Sequence, residues 1–377
     1  MREIKAAVLE ARGGPFRLAR VLLPPPGPGE ILVRVAACGI CHTDLVVRAH
    51  DFGTPVPIVL GHEGAGVVET VGAGVEGLAP GDRVVLSFDS CGACPSCASG
   101  APAYCAEFLP RNFAGLGPGG TPPYAFPDGR PLHGRFFGQS SFATHALTSA
   151  RNAVKIPEAL PFRLAAPLGC SLQTGAGAVV NSAGARPGES LLVLGAGAVG
   201  LAAVMAGADL GLAPLVAVDR IAARCALARA LGATHALAGG PGLAEALAAA
   251  APAAPPGAGA SFDIVIDTTG APDLIALGQA VLAPRGRMVL LALPPPGTTV
   301  PLDPGRMLAG RVLRGAVEGD SDPQRFVPWL AARVLSGRFP VERLVRTYPL
   351  AAIEEAAADM AAGRTVKPVL LPEGAGA

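Results

Sequence analysis

Leu191-Leu192-Val193-Leu194-Gly195-Ala196-Gly197-Ala198-Val199-Gly200 is an apolar strand running directly into a glycine-spaced turn that opens a helix. That setting is what gives a GxGxxG pattern its meaning. Gly195 makes the tight turn, Gly197 lets the backbone approach a pyrophosphate and Gly200 lets helix pack on strand, while Ala198 and Val199 begin a helix whose N-terminus favours anions. About twenty residues further on, Asp219 ends the next strand, where a carboxylate accepts hydrogen bonds from the adenosine ribose hydroxyls and repels a 2′-phosphate. The expected cofactor is therefore NAD rather than NADP, and Arg220 and Arg224 are the residues that would blunt the preference. The competing reading is a glycine-rich turn of an unrelated α/β domain whose strand-end Asp caps a helix.

Outward from this motif, a helix over 199–211, a strand over 215–219, a helix over 220–231 and strands over 262–267 and 287–292 predict a doubly wound parallel sheet. The uncharged run 191–208 reaches the ~18 residues at which a membrane span must be considered. Gly195, Gly197, Gly200 and Gly207 interrupt it and Asp209 closes it, so strand and helix are the better reading. The Ala/Pro/Gly tract 248–260 reads as a helix end entering a variable loop.

The N-terminal texture differs. Short β-rich runs at 6–9, 31–37, 66–71 and 82–86, punctuated by Pro and Gly, read as an all-β unit. Residues 111–135, rich in Gly and Pro without periodicity, read as a long surface loop. A chain of 377 residues exceeds what one core usually supports, so two domains are expected. Thirty bases against 29 acids give a formal charge of +1, which supplies no field for nucleic acid or an anionic membrane; a small, near-neutral substrate is the expected partner. The start, Met1-Arg2-Glu3-Ile4-Lys5, has no apolar signal-peptide core, so a cytoplasmic location is expected. There, eight cysteines suggest metal ligands or inert core rather than disulfides.

Cys91, Cys94, Cys97 and Cys105 form CxxCxxCx7C, and four thiolates at such spacing close a tetrahedron around Zn²⁺, the mark of a structural site. A nucleic-acid-binding zinc ribbon is the alternative, disfavoured by the scarcity of bases around the thiols. The other candidates are dispersed: Cys41 in Cys38-Gly39-Ile40-Cys41-His42-Thr43-Asp44, His62 in Gly61-His62-Glu63-Gly64, and Cys170 in Leu168-Gly169-Cys170. Two thiolates and an imidazole leave a fourth position for water or substrate, as in a catalytic zinc site. Taken singly, each also reads as an inert core cysteine or a satisfied histidine.

In order and spacing, segments 41–44, 61–66, the four-cysteine loop, 170–175 and 195–200 resemble the zinc-containing medium-chain alcohol dehydrogenases over nearly the whole chain. Phe136-Phe137-Gly138-Gln139-Ser140-Ser141-Phe142 and Leu168-Gly169-Cys170-Ser171-Leu172-Gln173-Thr174-Gly175 resemble the aryl (benzyl) alcohol branch. The resemblance implies an α/β architecture: a GroES-like, β-rich catalytic domain from residues 1–171 and 315–377, with a NAD-binding Rossmann domain inserted over 172–314. It implies two Zn²⁺ per chain, with Cys41, His62 and Cys170 as catalytic ligands, Glu63 as a carboxylate that transiently replaces water, and Asp44 orienting the histidine. Thr43 is implied as the hydroxyl that hydrogen-bonds the alcohol, His42 and Lys367 as contacts to the pyrophosphate, and Thr174 and Leu293 as neighbours of the nicotinamide. Phe88, Phe136 and Phe137 are implied as the alcohol-pocket wall, with core packing as the plain alternative.

One departure stands out: the relay histidine found in several relatives is replaced by Val46, and His50, four residues on, is too far along to stand in for it. The implied activity is zinc-dependent, NAD-linked oxidation of a primary aryl or allylic alcohol to the aldehyde, and the reverse, by a homodimer or homotetramer. A glutathione-dependent formaldehyde dehydrogenase would need a basic patch for which Arg111 alone is available, and a non-catalytic nucleotide-binding relative would be expected to have lost ligands that are present here.

Overall fold

The computed structural model describes residues 1–117, 119–252, 261–294 and 297–373. In chain order, ten strands come first: β1 (Arg2–Leu9), β2 (Phe16–Leu23), β3 (Glu30–Gly39), β4 (Ile58–Val59), β5 (Glu63–Val71), β6 (Arg83–Leu86), β7 (Tyr124–Ala125), β8 (Pro131–Leu132), β9 (His145–Ser149) and β10 (Ala153–Lys155). Then follow β11 (Leu191–Leu194), β12 (Leu215–Asp219), β13 (His235–Ala238), β14 (Phe262–Asp267), β15 (Leu282–Leu290) and β16 (Val312–Gly315), and finally β17 (Val345–Pro349) and β18 (Lys367–Leu371). The residues form two compact units, Met1–Ser171 with Asp322–Ala377, and Leu172–Ser321.

In the first unit, one sheet runs β4-β1-β2-β7-β8 and another runs β10-β6-β5-β3-β18-β17, with β9 also pairing β3. The C-terminal strand β18 lies antiparallel to β3 at Cys38 and Gly39, which carries the end of the chain back to the segment preceding Cys41. Alternating apolar residues of β1, β2, β3 and β5 bury one continuous core with Phe16, Phe136 and Phe142.

The second unit holds one parallel sheet in the order β13-β12-β11-β14-β15-β16. Chain order reverses at β11 and β14, the switch point outside whose carboxyl ends such sheets bind dinucleotides. Strand β11 is buried on both faces, as an all-apolar Leu-Leu-Val-Leu run requires. Gly195 takes φ +92°, and a Cβ on Gly200 would stand 1.8 Å from the Gly195 carbonyl, so the first and third glycines of the turn admit no side chain.

Several expectations are corrected. Residues 111–135 are not all surface: the helix Phe108–Phe113 enters the segment, the β7–β8 hairpin follows, and Asn112, Tyr124 and Leu132 are buried. Strands β13 and β16 carry no strand signal because β16 is mostly exposed and the four residues of β13 mix exposed and buried positions, so neither shows an apolar period. The expected domain end at 314 cuts β16, and the chain stays with this unit to Ser321 because Glu318 accepts hydrogen bonds from Gln173 and Thr174. The helix Leu243–Ala250 matches the start of the 248–260 tract, of which 253–260 lie outside the described residues. No helix among the described residues is long and apolar enough to cross a membrane.

Candidate active site

Cys41 is the N-cap of the helix His42–Ala49, and Asp44 at its third position accepts the Cys41 backbone N–H at 2.9 Å. The other oxygen of Asp44 accepts Gly61 N–H at 3.1 Å and lies 2.9 Å from His62 Nδ1. One fully buried carboxylate thus ties the Cys41 turn to the His62 turn and fixes the imidazole with its proton on Nδ1. His62 Nε2 is buried with no protein partner, a costly state for a polar atom unless something meets its lone pair. Cys41, His62 and Cys170 bring one ligand atom each to within 4.8 Å of one another, all three residues buried.

This donor set fits zinc: two sulfurs and one oriented nitrogen, a three-ligand set of the kind that leaves the fourth position of a tetrahedral zinc to water or substrate. The electrostatics agree. Hydrogen bonding from Cys170 holds the Cys41 thiol well below its ordinary value against the opposing effect of burial, with His62 adding to the lowering. Burial disfavours a charged His62, but Asp44 and then Cys41 raise its pKa well above the usual imidazole range.

Glu63, next to His62, faces Lys367. The lysine ammonium donates to the Ile40 carbonyl at 3.0 Å and to the two Glu63 oxygens at 3.0 and 2.9 Å, and Ser171 N–H donates to Glu63 at 3.1 Å. Burial pulls the Lys367 pKa down, but Glu63 and Cys41 outweigh it and keep the amine charged. Lys367 is only 2% exposed and forms a buried ion pair with Glu63. Thr43 Oγ1 lies 3.7 Å from Cys41 Sγ, whereas His42 and His50 are exposed and Val46 is half-buried.

An aromatic wall stands against the histidine. Phe137 stacks on His62 at 4.4 Å between centroids and Phe136 meets it edge-on at 5.5 Å. Phe113 packs on both phenylalanines, Phe108 joins Phe137 to Phe88, and Phe88, Phe136 and Phe137 are all buried. Phe108 and Phe113 leave little sign in the sequence: they are two aromatics shortly after the last thiolate, one just before and one at the start of the stretch 111–135 expected as loop.

Cys91, Cys94, Cys97 and Cys105 also bring their sulfurs to within 4.8 Å. Backbone N–H groups of Cys94 and Ala106 point at the Cys91 and Cys94 sulfurs, and those of Cys91 and Glu107 at the Cys105 sulfur, at 3.2–3.4 Å. The Ala106 N–H leads in lowering the Cys94 thiol to about 6. Backbone amides thus meet the sulfurs of Cys91, Cys94 and Cys105, burial pushes the Cys97 thiol up to about 12, and four thiols gathered in this way fit a closed structural zinc.

In the second unit, Asp219 accepts Ala196 N–H at 2.8 Å and Ile221 N–H at 2.9 Å, which fastens the glycine turn to the strand end. Arg224 reaches within 3.8 Å of the same carboxylate, while Arg220 is exposed. A Cβ on Gly197 would meet nothing within 4 Å, so the N-terminus of the helix Ala198–Asp209 opens onto space that a phosphate group fits. Thr174 hydrogen-bonds Glu318 at 3.3 Å, and Leu293 is 46% exposed.

Comparison with known proteins agrees with these features. Residues 27–158 match the alcohol dehydrogenase GroES-like domain and residues 198–332 match the zinc-binding dehydrogenase family. The chain is 45% identical to a geraniol dehydrogenase of Castellaniella defragrans, over 97% of each chain. A crystal structure of an alcohol dehydrogenase zinc-binding domain protein from Burkholderia ambifaria is 46% identical with a TM-score of 0.93, covering 98% of this chain and 99% of that one. The benzyl alcohol dehydrogenase of Acinetobacter calcoaceticus is 38% identical with a TM-score of 0.92, covering 99% and 100%. With its GroES-like unit, its six-stranded parallel sheet and both thiolate clusters in place, the chain belongs to the zinc-containing medium-chain alcohol dehydrogenases.

Proposed function

We propose that this alcohol dehydrogenase carries out zinc-dependent, NAD-linked oxidation of primary alcohols bearing an aryl or allylic group to the aldehyde, and the reverse. The observation that carries the reading is His62: its Nε2 is buried without a partner beside two cysteine sulfurs, and its ring is covered by Phe137. When bound at Cys41, His62 and Cys170, zinc supplies Lewis acidity that makes the alcohol proton easier to lose, and the dinucleotide supplies the hydride acceptor. Everything else is the work of this chain's residues. Asp44 holds the His62 tautomer, and Lys367, itself anchored on the Ile40 carbonyl, ion-pairs Glu63 against the burial that raises its carboxyl pKa. Thr43, beside Cys41, is the hydroxyl that accepts a hydrogen bond from the alcohol and hands its own proton on as that proton arrives, and with Val46 half-buried four positions before the exposed His50, the onward route does not pass through a histidine at 46.

NAD preference is supported by Asp219 at the strand end, whose carboxylate would meet a 2′-phosphate unfavourably. The aryl or allylic preference is supported by the phenylalanine wall and by the activities named for the geraniol and benzyl alcohol dehydrogenases. Arg111 is engaged by Glu107 and Asp89, which argues against a glutathione carboxylate as its partner. A homodimer or homotetramer is part of the proposal; its support is the open β16 edge of the parallel sheet, where Leu308, Val312 and Val317 are exposed. The test is a panel of benzyl, cinnamyl and terpenoid alcohols, ethanol and hydroxymethylglutathione, assayed with NAD and with NADP on metal-quantified protein. Ethanol or hydroxymethylglutathione turning over as efficiently as the ring-bearing and allylic alcohols would overturn the substrate assignment.

A further inference from the structure

We infer that Gln139 is a positioning residue of the zinc site: its buried carboxamide holds the backbones that carry His62 and Cys170, and with them the Phe137 stack. This rests on the proposed zinc role of Cys41, His62 and Cys170. Gln139 is fully buried, and all four of its hydrogen-bonding valences are used. Its Nε2 donates to the His62 carbonyl at 3.0 Å and the Ser87 carbonyl at 3.1 Å; its Oε1 accepts Gly64 N–H at 3.1 Å and the Ser141 hydroxyl at 2.6 Å. The side chain therefore clamps the backbone on both sides of Glu63, starting at the carbonyl of His62 itself. It also grips Ser87, whose hydroxyl donates to the Gly169 carbonyl at 2.7 Å, one residue before Cys170. Two of the three candidate ligands are thereby referred to one amide.

The backbone around Gln139 is bent to deliver it there. Arg135, Phe137 and Ser140 take φ of 57°, 51° and 56°, left-handed conformations that side-chain-bearing residues adopt only when their surroundings impose them. Phe137, the residue stacked on His62, is two residues before the clamp's Gln139. The approach is close enough that a Cβ on Gly64 would stand 2.3 Å from Ser141 Oγ and 2.9 Å from Gln139 Oε1. The glycine after the His62-Glu63 pair is there to admit this clamp.

Two variants test it on zinc-loaded protein: Gln139→Met, which keeps length and removes all four hydrogen bonds, and Ser141→Ala, which removes one with little change of shape. The readouts are zinc release to a chromogenic chelator and the visible spectrum of the cobalt-substituted protein, neither of which depends on the substrate. Release from the wild type should be biphasic, with one phase absent in Cys41→Ser and so assigned to the Cys41 site. In Gln139→Met that phase should accelerate about 10-fold or more, as for loss of other groups that orient metal ligands, and the cobalt bands should shift. Ser141→Ala should move it about two- to fivefold in the same direction, and decides the matter alone if Gln139→Met fails to fold. The four-thiolate phase should stay unchanged in both. Variants that lower the melting temperature but leave the Cys41-dependent phase and the cobalt spectrum at wild-type values would overturn this inference alone, whereas a wild type without a Cys41-dependent phase would overturn the functional reading as well.

Discussion

Asp44 Oδ1 lies 2.9 Å from His62 Nδ1, inside a region where both side chains are fully buried, while the same carboxylate caps the helix that begins after Cys41. The tautomer of the histidine and the position of a cysteine are thus set by one residue. Asp44→Asn should keep the fold yet weaken zinc binding at this site and alcohol turnover by about 10- to 100-fold. Asp44→Ala should be worse, because the Cys41 and Gly61 N–H groups each lose a buried partner at about 1–3 kcal/mol. Zinc titration and thermal melts of the two variants separate the effects; equal zinc affinity in Asp44→Asn and wild type would refute the orienting role.

The two thiolate sites should fail differently. Cys94→Ser should lower the melting temperature and chelator resistance, since a closed structural zinc contributes to folding directly. Cys41→Ser should stay folded and bind NADH with near wild-type affinity while losing nearly all turnover. Calorimetry with NADH titration would expose an error if Cys41→Ser unfolded the chain or if Cys94→Ser left its stability untouched.

Much of this was legible in the sequence, and the parts that were not share a cause. The thiol spacing 91–105 and the strand-turn-helix at 191–200 are local patterns, so they could be read without knowing the fold. Asp44 was found by resemblance, but its N3 spacing from Cys41 also marks a capping box. The ion pair of Lys367 with Glu63 leaves no local trace, because the two lie 304 residues apart and a lone lysine is ordinarily a solvated charge. Gln139 stands in the 136–142 segment that carries the resemblance, but its role is hidden for the same reason: its four partners come from three separate stretches of chain. The β16 edge, with its exposed apolar residues, lacks the alternation that betrays a half-buried strand.

Cofactor choice should rest on Asp219. NAD should exceed NADP in kcat/KM by more than about tenfold, because the carboxylate loses its ribose partners and faces a phosphate dianion instead. Asp219→Ser should narrow the gap, at some loss of stability from releasing the Ala196 and Ile221 N–H groups. Kinetics with both cofactors decide it; equal use by the wild type would mean that Arg224, 3.8 Å from Asp219, turns outward and governs the choice.

Substrate preference should follow the aromatic wall. Burying a benzyl rather than an ethyl group removes on the order of 100 Å² more apolar surface from water, worth roughly 2.5 kcal/mol or nearly a hundredfold in kcat/KM. Phe137→Ala should erode that advantage, chiefly by raising KM for ring-bearing alcohols, and should also loosen His62 by removing its stacking partner. Steady-state kinetics in which Phe137→Ala left the benzyl-to-ethanol ratio unchanged would remove Phe137 from the substrate wall.

The central claim is that Cys41, His62 and Cys170 hold a zinc ion on which alcohol oxidation depends, and elemental analysis of purified wild type and Cys41→Ser, paired with their rates, tests it most directly. The account predicts two zinc ions per chain and NAD-linked oxidation of benzyl or terpenoid alcohols in the wild type, against one zinc and almost no turnover in the variant. Equal zinc content in the two proteins, or undiminished turnover in Cys41→Ser, would contradict it.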